Sequence, residues 1–196
     1  MTLGSSGSTL SVSLVEALTG GAGTDVVTGG QLYTTYCSAC HGADGNSQLP
    51  NIPSLAGQPK VFVENQLVII REGLRDIPAM KGLLEGVSDV DITAMAVHFA
   101  TLPARNAPPP GDPALMAQGK VLAEGMRCGI CHLPDYRGRE QMPRLAGQRE
   151  DYLLYSMQQF KNNQAIGRDT IMAASLYGVS DNDLKALAHF LSRVAP

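Results

Sequence analysis

Apolar residues recur at helical spacing near the end of each half of the chain. In the first half they are Ile92, Met95, Ala96, Phe99 and Leu102, and in the second half Leu184, Leu187, Ala188, Leu191 and Val194. Positions three and four apart lie on one face of a helix, so each set can be buried together. Ser88 and Ser180 precede these sets, and each is followed three residues later by an aspartate. This spacing is typical of a capped helix start, so the pattern predicts an amphipathic helix at the end of each half.

Earlier parts of the two halves also show helical patterning. The pattern predicts helices from Gly29 or Gly30 into Cys37, from Gly119 toward Cys128, and over about residues 59–73 and 149–162. No stretch shows the sustained alternation of apolar and polar residues that a half-buried strand requires. The predicted fold class is therefore all-α.

Three motifs occur once in each half of the chain, in the same order. They are Cys-x-x-Cys-His at residues 37–41 and 128–132, Leu-Ala-Gly-Gln at 55–58 and 145–148, and Gly-Val-Ser-Asp at 86–89 and 178–181. The offsets between the copies are 91, 90 and 92 residues. Offsets that drift so little while the order is kept indicate a tandem duplication, so we predict two homologous domains.

The segments outside the repeats differ from them in composition. Residues 103–114 hold five of the twelve prolines, which favours a stiff, partly extended linker. Residues 1–28 are rich in Gly, Ser and Thr and contain no Lys or Arg, which predicts a flexible tail rather than a signal peptide. The predicted organisation is a tail over 1–28, a first domain over 29–102, a linker over 103–114 and a second domain over 115–196.

Composition excludes several classes of protein. The chain has 196 residues and a formal net charge of −3, so it lacks the basic surface that nucleic-acid binding needs. No apolar run approaches the roughly 20 residues of a transmembrane helix, which predicts no membrane span. Only 5% of the residues are aromatic, and 21 Gly and 12 Pro are poor material for a large core. We expect a bound cofactor to supply the missing apolar volume.

The two Cys-x-x-Cys-His motifs have the spacing of covalent c-type haem attachment. In such a site two thioether bonds anchor the porphyrin and the adjacent His ligates the iron. A redox dithiol would need the βαβ context of thioredoxin, and a zinc site would need four ligands from positions 91 residues apart. The sequence therefore predicts two covalently bound haem c groups, held by Cys37, Cys40 and His41 and by Cys128, Cys131 and His132.

A second iron ligand is expected at the same place in each half. Met80 lies 39 residues after the His of the first motif and Met172 lies 40 after the His of the second. Each precedes its Gly-Val-Ser-Asp segment by six residues. A matched register favours a ligand at a fixed reach from the iron over a methionine that only fills the core. Met80 and Met172 are therefore the predicted distal ligands.

The other methionines and histidines outside the motifs do not share this register. Met95, Met142 and Met157 stand where the other half has Leu187, Ile52 and Leu67, so we interpret them as core residues. His98 and His189 fall at different repeat positions and are interpreted as ordinary helix residues. Ligation of either iron by two histidines is therefore disfavoured.

A His and a Met together close both axial positions of a haem iron and raise its reduction potential. This arrangement favours outer-sphere electron transfer over binding oxygen or peroxide. A di-haem peroxidase would need an exchangeable iron position and further His ligands, and a haem-based gas sensor would need an output module. The sequence therefore predicts an electron carrier and not an enzyme.

The motifs together resemble the di-haem cytochrome c4 family over about residues 29–196. The resemblance rests on both Cys-x-x-Cys-His motifs, the Pro-x-Leu-Ala-Gly-Gln segments, the methionines and the helices opened by Val-Ser-Asp. It implies two tandem class I cytochrome c domains, each around a haem c with His/Met ligation, and a periplasmic location. It also implies that the backbone beside Pro53 and Pro143 accepts the Nδ1 proton of the proximal His. Arg75 and Arg168 are equally well interpreted as haem propionate partners or as solvated surface residues.

The resemblance leaves two interpretations of the function open. In the first, the protein carries single electrons between a periplasmic donor and an acceptor such as a terminal oxidase. In the second, it is the electron-accepting subunit of a dehydrogenase, because residues 61–64 and 170–172 resemble the haem subunit of flavocytochrome c sulfide dehydrogenase. Similar two-domain chains also serve thiosulfate dehydrogenases.

Charge is distributed unevenly between the two predicted domains. Residues 29–102 hold four basic and seven acidic side chains, whereas residues 115–196 hold ten basic and eight acidic ones. Such a gradient favours different redox partners at the two ends of the molecule. The expected partners are an oxidase, a cytochrome bc complex or a dehydrogenase subunit.

Overall fold

The computed structural model describes residues 28–105, 108 and 111–196, and its regular structure is helical. Within those residues there are nine α-helices, a 3₁₀ turn at Pro78–Met80 and, as the only β pairing, an isolated bridge between Arg139 and Met142. The helices are α1 Gly29–Tyr36, α2 Ser38–His41, α3 Lys60–Arg71, α4 Asp89–Thr101, α5 Pro113–Gly125, α6 Gly129–His132, α7 Glu150–Lys161, α8 Thr170–Leu176 and α9 Asp181–Arg193. The predicted all-α class is confirmed. The tail predicted over residues 1–28 lies, apart from Thr28, outside the described residues.

The starts of α4 and α9 follow from local sequence. The hydroxyl oxygens of Ser88 and Ser180 accept hydrogen bonds from the backbone N–H groups of Asp91 (3.2 Å) and Asp183 (3.1 Å). Each serine hydroxyl in turn donates to the aspartate carboxylate at 2.7 Å. These bonds satisfy N–H groups that have no partner inside the helix. The two predicted terminal helices are therefore confirmed together with their caps.

The helix α5 begins earlier than the sequence pattern predicts. The predicted start at Gly119 is wrong, because the helix begins at Pro113, inside the segment expected to be extended. The carboxylate of Asp112 caps it by accepting from the N–H groups of Ala114 (2.8 Å) and Leu115 (3.3 Å). Proline suits the first helical position because the N–H that it lacks would have no partner there. One of the prolines that suggest a linker thus starts a helix, and the domain limits at 102 and 115 stay a prediction.

The helices enclose two apolar cores, one in each half. Helices α1, α3 and α4 contribute to the first core, and α5, α7, α8 and α9 contribute to the second. Met95 is fully buried in the first core and its repeat counterpart Leu187 is buried in the second, which confirms the core role predicted for Met95. Met157 is also buried in the second core.

The first and last helices of each half cross at a glycine. Gly29 on α1 lies against Ala94 on α4, and Gly119 on α5 lies against Ala186 on α9. A Cβ atom at either glycine would overlap the carbonyl oxygen of the facing alanine. Only a residue without a side chain therefore allows the two helices to approach this closely.

Each core contains a tyrosine that packs edge-on against a phenylalanine of the last helix. Tyr33 on α1 contacts Phe99 with ring centres 5.3 Å apart, and Tyr136, which follows α6, contacts Phe190 at 5.8 Å. The Tyr33 hydroxyl accepts from the backbone N–H of Gly45 at 3.0 Å. Gly45 stands in the first repeat where Tyr136 stands in the second. Both halves thus keep an aromatic pair but build it from different repeat positions.

The two halves meet through the loops that carry the Leu-Ala-Gly-Gln motifs. The side-chain amides of Gln58 and Gln148 are buried, and each binds the backbone of the opposite half. The guanidinium of Arg144 is buried as well and donates to the carbonyl oxygen of Ala56 at 2.8 Å. Burial lowers the pKa of Arg144 to about 10. Buried polar groups that bind across this contact fix the orientation of the two halves.

Candidate haem-binding sites

The cysteines of each motif lie around the short helices α2 and α6. Cys37 is buried and Cys128 half-buried, whereas Cys40 and Cys131 are exposed. Burial, followed by the proximity of Cys40, raises the pKa of Cys37 to about 12, and burial raises the pKa of Cys128. Across the described residues no group of three or more His, Cys, Asp or Glu side chains is placed to hold a metal ion by itself.

His41 and His132 make the same hydrogen bond in the two halves. Each ends its short helix, is buried, and places Nδ1 2.9 Å from a proline carbonyl oxygen, that of Pro53 or Pro143. Because a carbonyl oxygen only accepts, Nδ1 carries the proton. Burial lowers the pKa of both imidazoles, although the bond to the proline carbonyl acts in the opposite direction. A neutral imidazole protonated on Nδ1 has a lone pair on Nε2 that a metal can bind.

The Nε2 atoms show whether these residues fit a haem. Nε2 of His132 is buried and has no hydrogen-bond partner. A buried polar atom without a partner is costly, and an iron atom bound at this nitrogen would satisfy it. His41 makes the same Nδ1 bond at the same repeat position, so both halves fit a haem beside their cysteines.

Met80 and Met172 pack against the cores that also include the first cysteine of each motif. Met80 ends the 3₁₀ turn, is half-buried, and contacts the first core, to which Cys37 belongs. Met172 lies within α8, is half-buried, and contacts the second core, as Cys128 does. The local backbone differs between the halves, but each methionine is brought to the same core as the cysteine of its motif.

Arg75 and Arg168 lie close together across the contact between the two halves. Arg75 donates to Oε1 of Gln66 at 2.5 Å, and Arg168 donates to Oγ of Ser156 at 2.7 Å, with its guanidinium 4.0 Å from the centre of the Phe160 ring. Burial and then the positive charge of Arg75 lower the pKa of Arg168 to about 10. Neither arginine has an ion-paired carboxylate among the residues that the structure describes. Two half-buried like charges without a counterion favour an anion between or beside them.

Sequence reasoning assigns no role to Gln58, Gln148 or Arg144, although these residues join the two halves. The two glutamines occur in both copies of one motif, and this recurrence is the signal that points to them. Arg144 has no such signal, because the first copy has Ser54 at its place. The two remaining histidines lie outside the motif helices, on α4 and α9.

Comparison with known families gives a match for each half. The profile described as "Cytochrome C oxidase, cbb3-type, subunit III" matches residues 24–98. The profile described as "Cytochrome c" matches residues 116–195. The two matches include one Cys-x-x-Cys-His motif each, so each half is similar to cytochrome c.

Several individual proteins are similar to most of the chain. Cytochrome c4 of Pseudomonas aeruginosa is 35% identical over 173 residues, which cover 83% of this chain and 85% of that protein. The thiosulfate dehydrogenase electron acceptor of Thiomonas intermedia is 30% identical over 172 residues, covering 80% of this chain and 77% of that protein.

A solved structure extends this similarity to the fold. The crystal structure of reduced recombinant cytochrome c4 from Pseudomonas stutzeri matches with a TM-score of 0.78 at 31% identity, covering 84% of this chain and 96% of that chain. The chain therefore belongs to the cytochrome c4 family and is an electron carrier with two tandem cytochrome c domains and two covalently bound haem c groups.

Proposed function

We propose that each haem is held by the motif and the methionine of its own domain. In the first domain Cys37 and Cys40 form the thioether bonds, His41 is the proximal ligand and Met80 the distal ligand. In the second domain these roles belong to Cys128, Cys131, His132 and Met172. The observation that carries the assignment is the shared Nδ1 bond to a proline carbonyl, with the buried Nε2 of His132 unpartnered.

The residues around each haem restrict what it can do. Haem supplies a one-electron iron couple when it is bound. The proline carbonyls hold the imidazoles in one tautomer and one orientation. Each methionine thioether takes the position that an exogenous ligand would need and favours the reduced iron. The chain's residues therefore favour outer-sphere transfer of single electrons.

Arg75 and Arg168 bind haem propionates in this assignment. Their closeness and the absence of an ion-paired carboxylate among the described residues support an anionic partner over the alternative of freely solvated arginines. Propionates of a haem in either domain supply such an anion. The two arginines then compensate negative charge at the contact between the domains.

The carrier works in the periplasm, between a donor such as a cytochrome bc complex and an acceptor such as a terminal oxidase. Haem c is attached covalently outside the cytoplasm, and this requirement supports a periplasmic location. In the part of the chain that the structure describes, the helices lack the length and apolar character of a membrane span. The different charge balance of residues 29–102 and 115–196 supports two different docking partners.

A second candidate function is that of an electron-accepting subunit of a dehydrogenase. The similarity to the thiosulfate dehydrogenase electron acceptor of Thiomonas intermedia over 80% of this chain favours it. The two candidates differ in stoichiometry. A free carrier elutes from a native extract as a monomer of the holoprotein, whereas a subunit elutes in a fixed ratio with a dehydrogenase that reduces it.

Proteolysis and mass spectrometry test the haem assignment. Haem is expected on the peptides that contain residues 37–41 and 128–132, and a reductive titration is expected to consume two electrons per chain. Haem that is released by acidified solvent, or one electron per chain, contradicts the assignment of two covalent sites.

A further inference from the structure

The peptide group between Pro53 and Ser54 links the two domains. Its carbonyl oxygen accepts the Nδ1 proton of His41 at 2.9 Å, and its N–H donates to Oε1 of Gln148 in the second domain at 2.8 Å. Nε2 of Gln148 donates to the carbonyl oxygen of Ser54 at 2.9 Å, so both polar groups of the side-chain amide are fixed. The acceptor of the first proximal histidine thus belongs to a peptide group that the other domain binds.

The second domain repeats this arrangement with the roles exchanged. The peptide group between Pro143 and Arg144 accepts from His132 at 2.9 Å and donates to Oε1 of Gln58 in the first domain at 3.0 Å. Nε2 of Gln58 donates to the carbonyl oxygen of Arg144 at 3.1 Å. Both glutamines are only 3% exposed, so water does not compete for these bonds.

Hydrogen bonds at the two ends of one peptide group strengthen each other. When the N–H donates, the carbonyl oxygen becomes more negative and a better acceptor. A better acceptor draws the Nδ1 proton away from the imidazole and makes Nε2 a stronger donor to iron. A stronger donor favours ferric iron, so the reduction potential falls.

We propose that Gln58 and Gln148 are positioning residues that tune the haem of the opposite domain. Gln148 acts on the first haem through the Pro53–Ser54 peptide and His41, and Gln58 acts on the second haem through the Pro143–Arg144 peptide and His132. The inference rests on the proposed function, in which these two histidines are the proximal ligands. Its consequence is that each domain has its working reduction potential only when it is docked on the other.

The variants Gln148→Met and Gln58→Met, made in the full-length holoprotein, test the inference. Methionine keeps a similar side-chain volume but removes both hydrogen bonds to the opposite domain. In Gln148→Met it also removes the bond that Oε1 accepts from the backbone N–H of Arg149 at 2.9 Å. Two quantities are measured by NMR: the reduction potential of each haem in a titration, and the exchange rate of each proximal Nδ1 proton with solvent.

Each glutamine variant is expected to change the haem of the opposite domain and not that of its own. Gln148→Met raises the potential of the first haem and speeds exchange of the His41 proton by up to about twofold, because the bond to Pro53 is kept and only its cooperative strengthening is lost. Gln58→Met does the same to the second haem and to His132. If Gln148→Met fails to mature, Gln148→Asn, which shortens the side chain, is expected to change the same haem in the same direction.

Asp151→Asn is the matched control. The Asp151 carboxylate accepts from the backbone N–H of Asn51 at 2.9 Å in the same domain contact but does not touch either histidine's peptide group. This variant is expected to leave both Nδ1 exchange rates unchanged.

Three results overturn the inference: a glutamine variant that affects both haems equally, one that affects only the haem of its own domain, or one that affects neither. The first two would mean that the glutamines only hold the domains together. Failure of the ligand assignment is visible separately, because the ring signals of His41 or His132 in the unsubstituted protein would then lack the shifts of an iron-bound imidazole.

Discussion

The carboxylate of Glu150 on α7 lies 3.0 Å from Nδ1 of His189 on α9. Its other oxygen accepts from Nη1 of Arg193 at 2.6 Å, so one side chain joins the start of α7 to the end of α9. Burial acts to raise the pKa of Glu150, but the hydrogen bonds from Arg193 and His189 outweigh it and hold the pKa below its ordinary value. The folded protein therefore binds this proton more weakly than the unfolded chain does.

Acid sensitivity follows from this pair. The stabilisation that the Glu150 carboxylate provides is fully present above the ordinary glutamate pKa of about 4.3. It is lost as the pH falls through that value toward the lower pKa of the folded protein. Glu150→Gln is expected to lower the free energy of unfolding at neutral pH by about 0.5–1 kcal/mol, a small value because water screens a partly exposed carboxylate. The variant is also expected to lose less stability on acidification than the parent.

Urea unfolding at neutral and at acidic pH measures this effect. Glu124→Gln is the control, since Glu124 is exposed and its surface pair with Lys120 is long, at 3.9 Å. It is expected to keep the parent's dependence on pH. If Glu150→Gln lost as much free energy of unfolding on acidification as the parent does, the role of the Glu150 contacts would be contradicted.

Gly119→Ala is expected to destabilise the second domain. The added Cβ overlaps the backbone of Ala186 on α9, and overpacking of this kind costs about 1–3 kcal/mol. Gly125→Ala, at the end of the same helix, is the control, because nothing lies within 4 Å of its Cβ position. In a helix this control is expected to be neutral or to stabilise by about 0.5–1 kcal/mol. Thermal unfolding of the two variant holoproteins measures the difference. Equal melting temperatures would contradict the close approach of α5 and α9 at Gly119.

Replacement of Met80 by His is expected to leave the haem covalently bound and to lower the potential of the first haem only. Imidazole donates more strongly to ferric iron than a thioether does. Met172→His is expected to do the same to the second haem. Met80→Ala is expected to open the first iron to cyanide or carbon monoxide.

Met95→Leu is the control for these variants, since Leu187 already fills the matching place in the second core. It is expected to keep the methionine-to-iron absorption band of both haems. Loss of that band in Met95→Leu, with retention in Met80→Ala, would show that Met80 is not the distal ligand of the first haem.

Arg168→Gln distinguishes the two interpretations of the arginines. If Arg168 compensates a propionate, loss of its charge is expected to lower the reduction potential of at least one haem, because the oxidised, more positive iron is then favoured. A solvated arginine has little effect when it is removed. Arg137→Gln is the control, since Arg137 is exposed and pairs with Asp135 at 3.4 Å. Equal titration curves for the two variants would favour the solvated interpretation.

The sequence predicts those structural features that depend on residues close to one another along the chain. The backbone N–H of Asp183 donates to the hydroxyl of Ser180, only three residues before it, so the sequence pattern predicts the start of α9. The sequence pattern misses the start of α5 because a proline such as Pro113 is common both in linkers and at the first position of a helix. The contacts of Gln148 are missed for another reason: its partner Ser54 lies 94 residues away and is found only once the domains dock.

The two copies of the domain are no longer interchangeable piece by piece, because the first takes its core tyrosine from α1 and the second from the loop after α6. A recombinant that joined residues 29–40 to residues 132–196 would carry both Tyr33 and Tyr136, and the reverse recombinant would carry neither. Gene conversion, which keeps tandem copies alike, would thus produce an overfilled or an underfilled core.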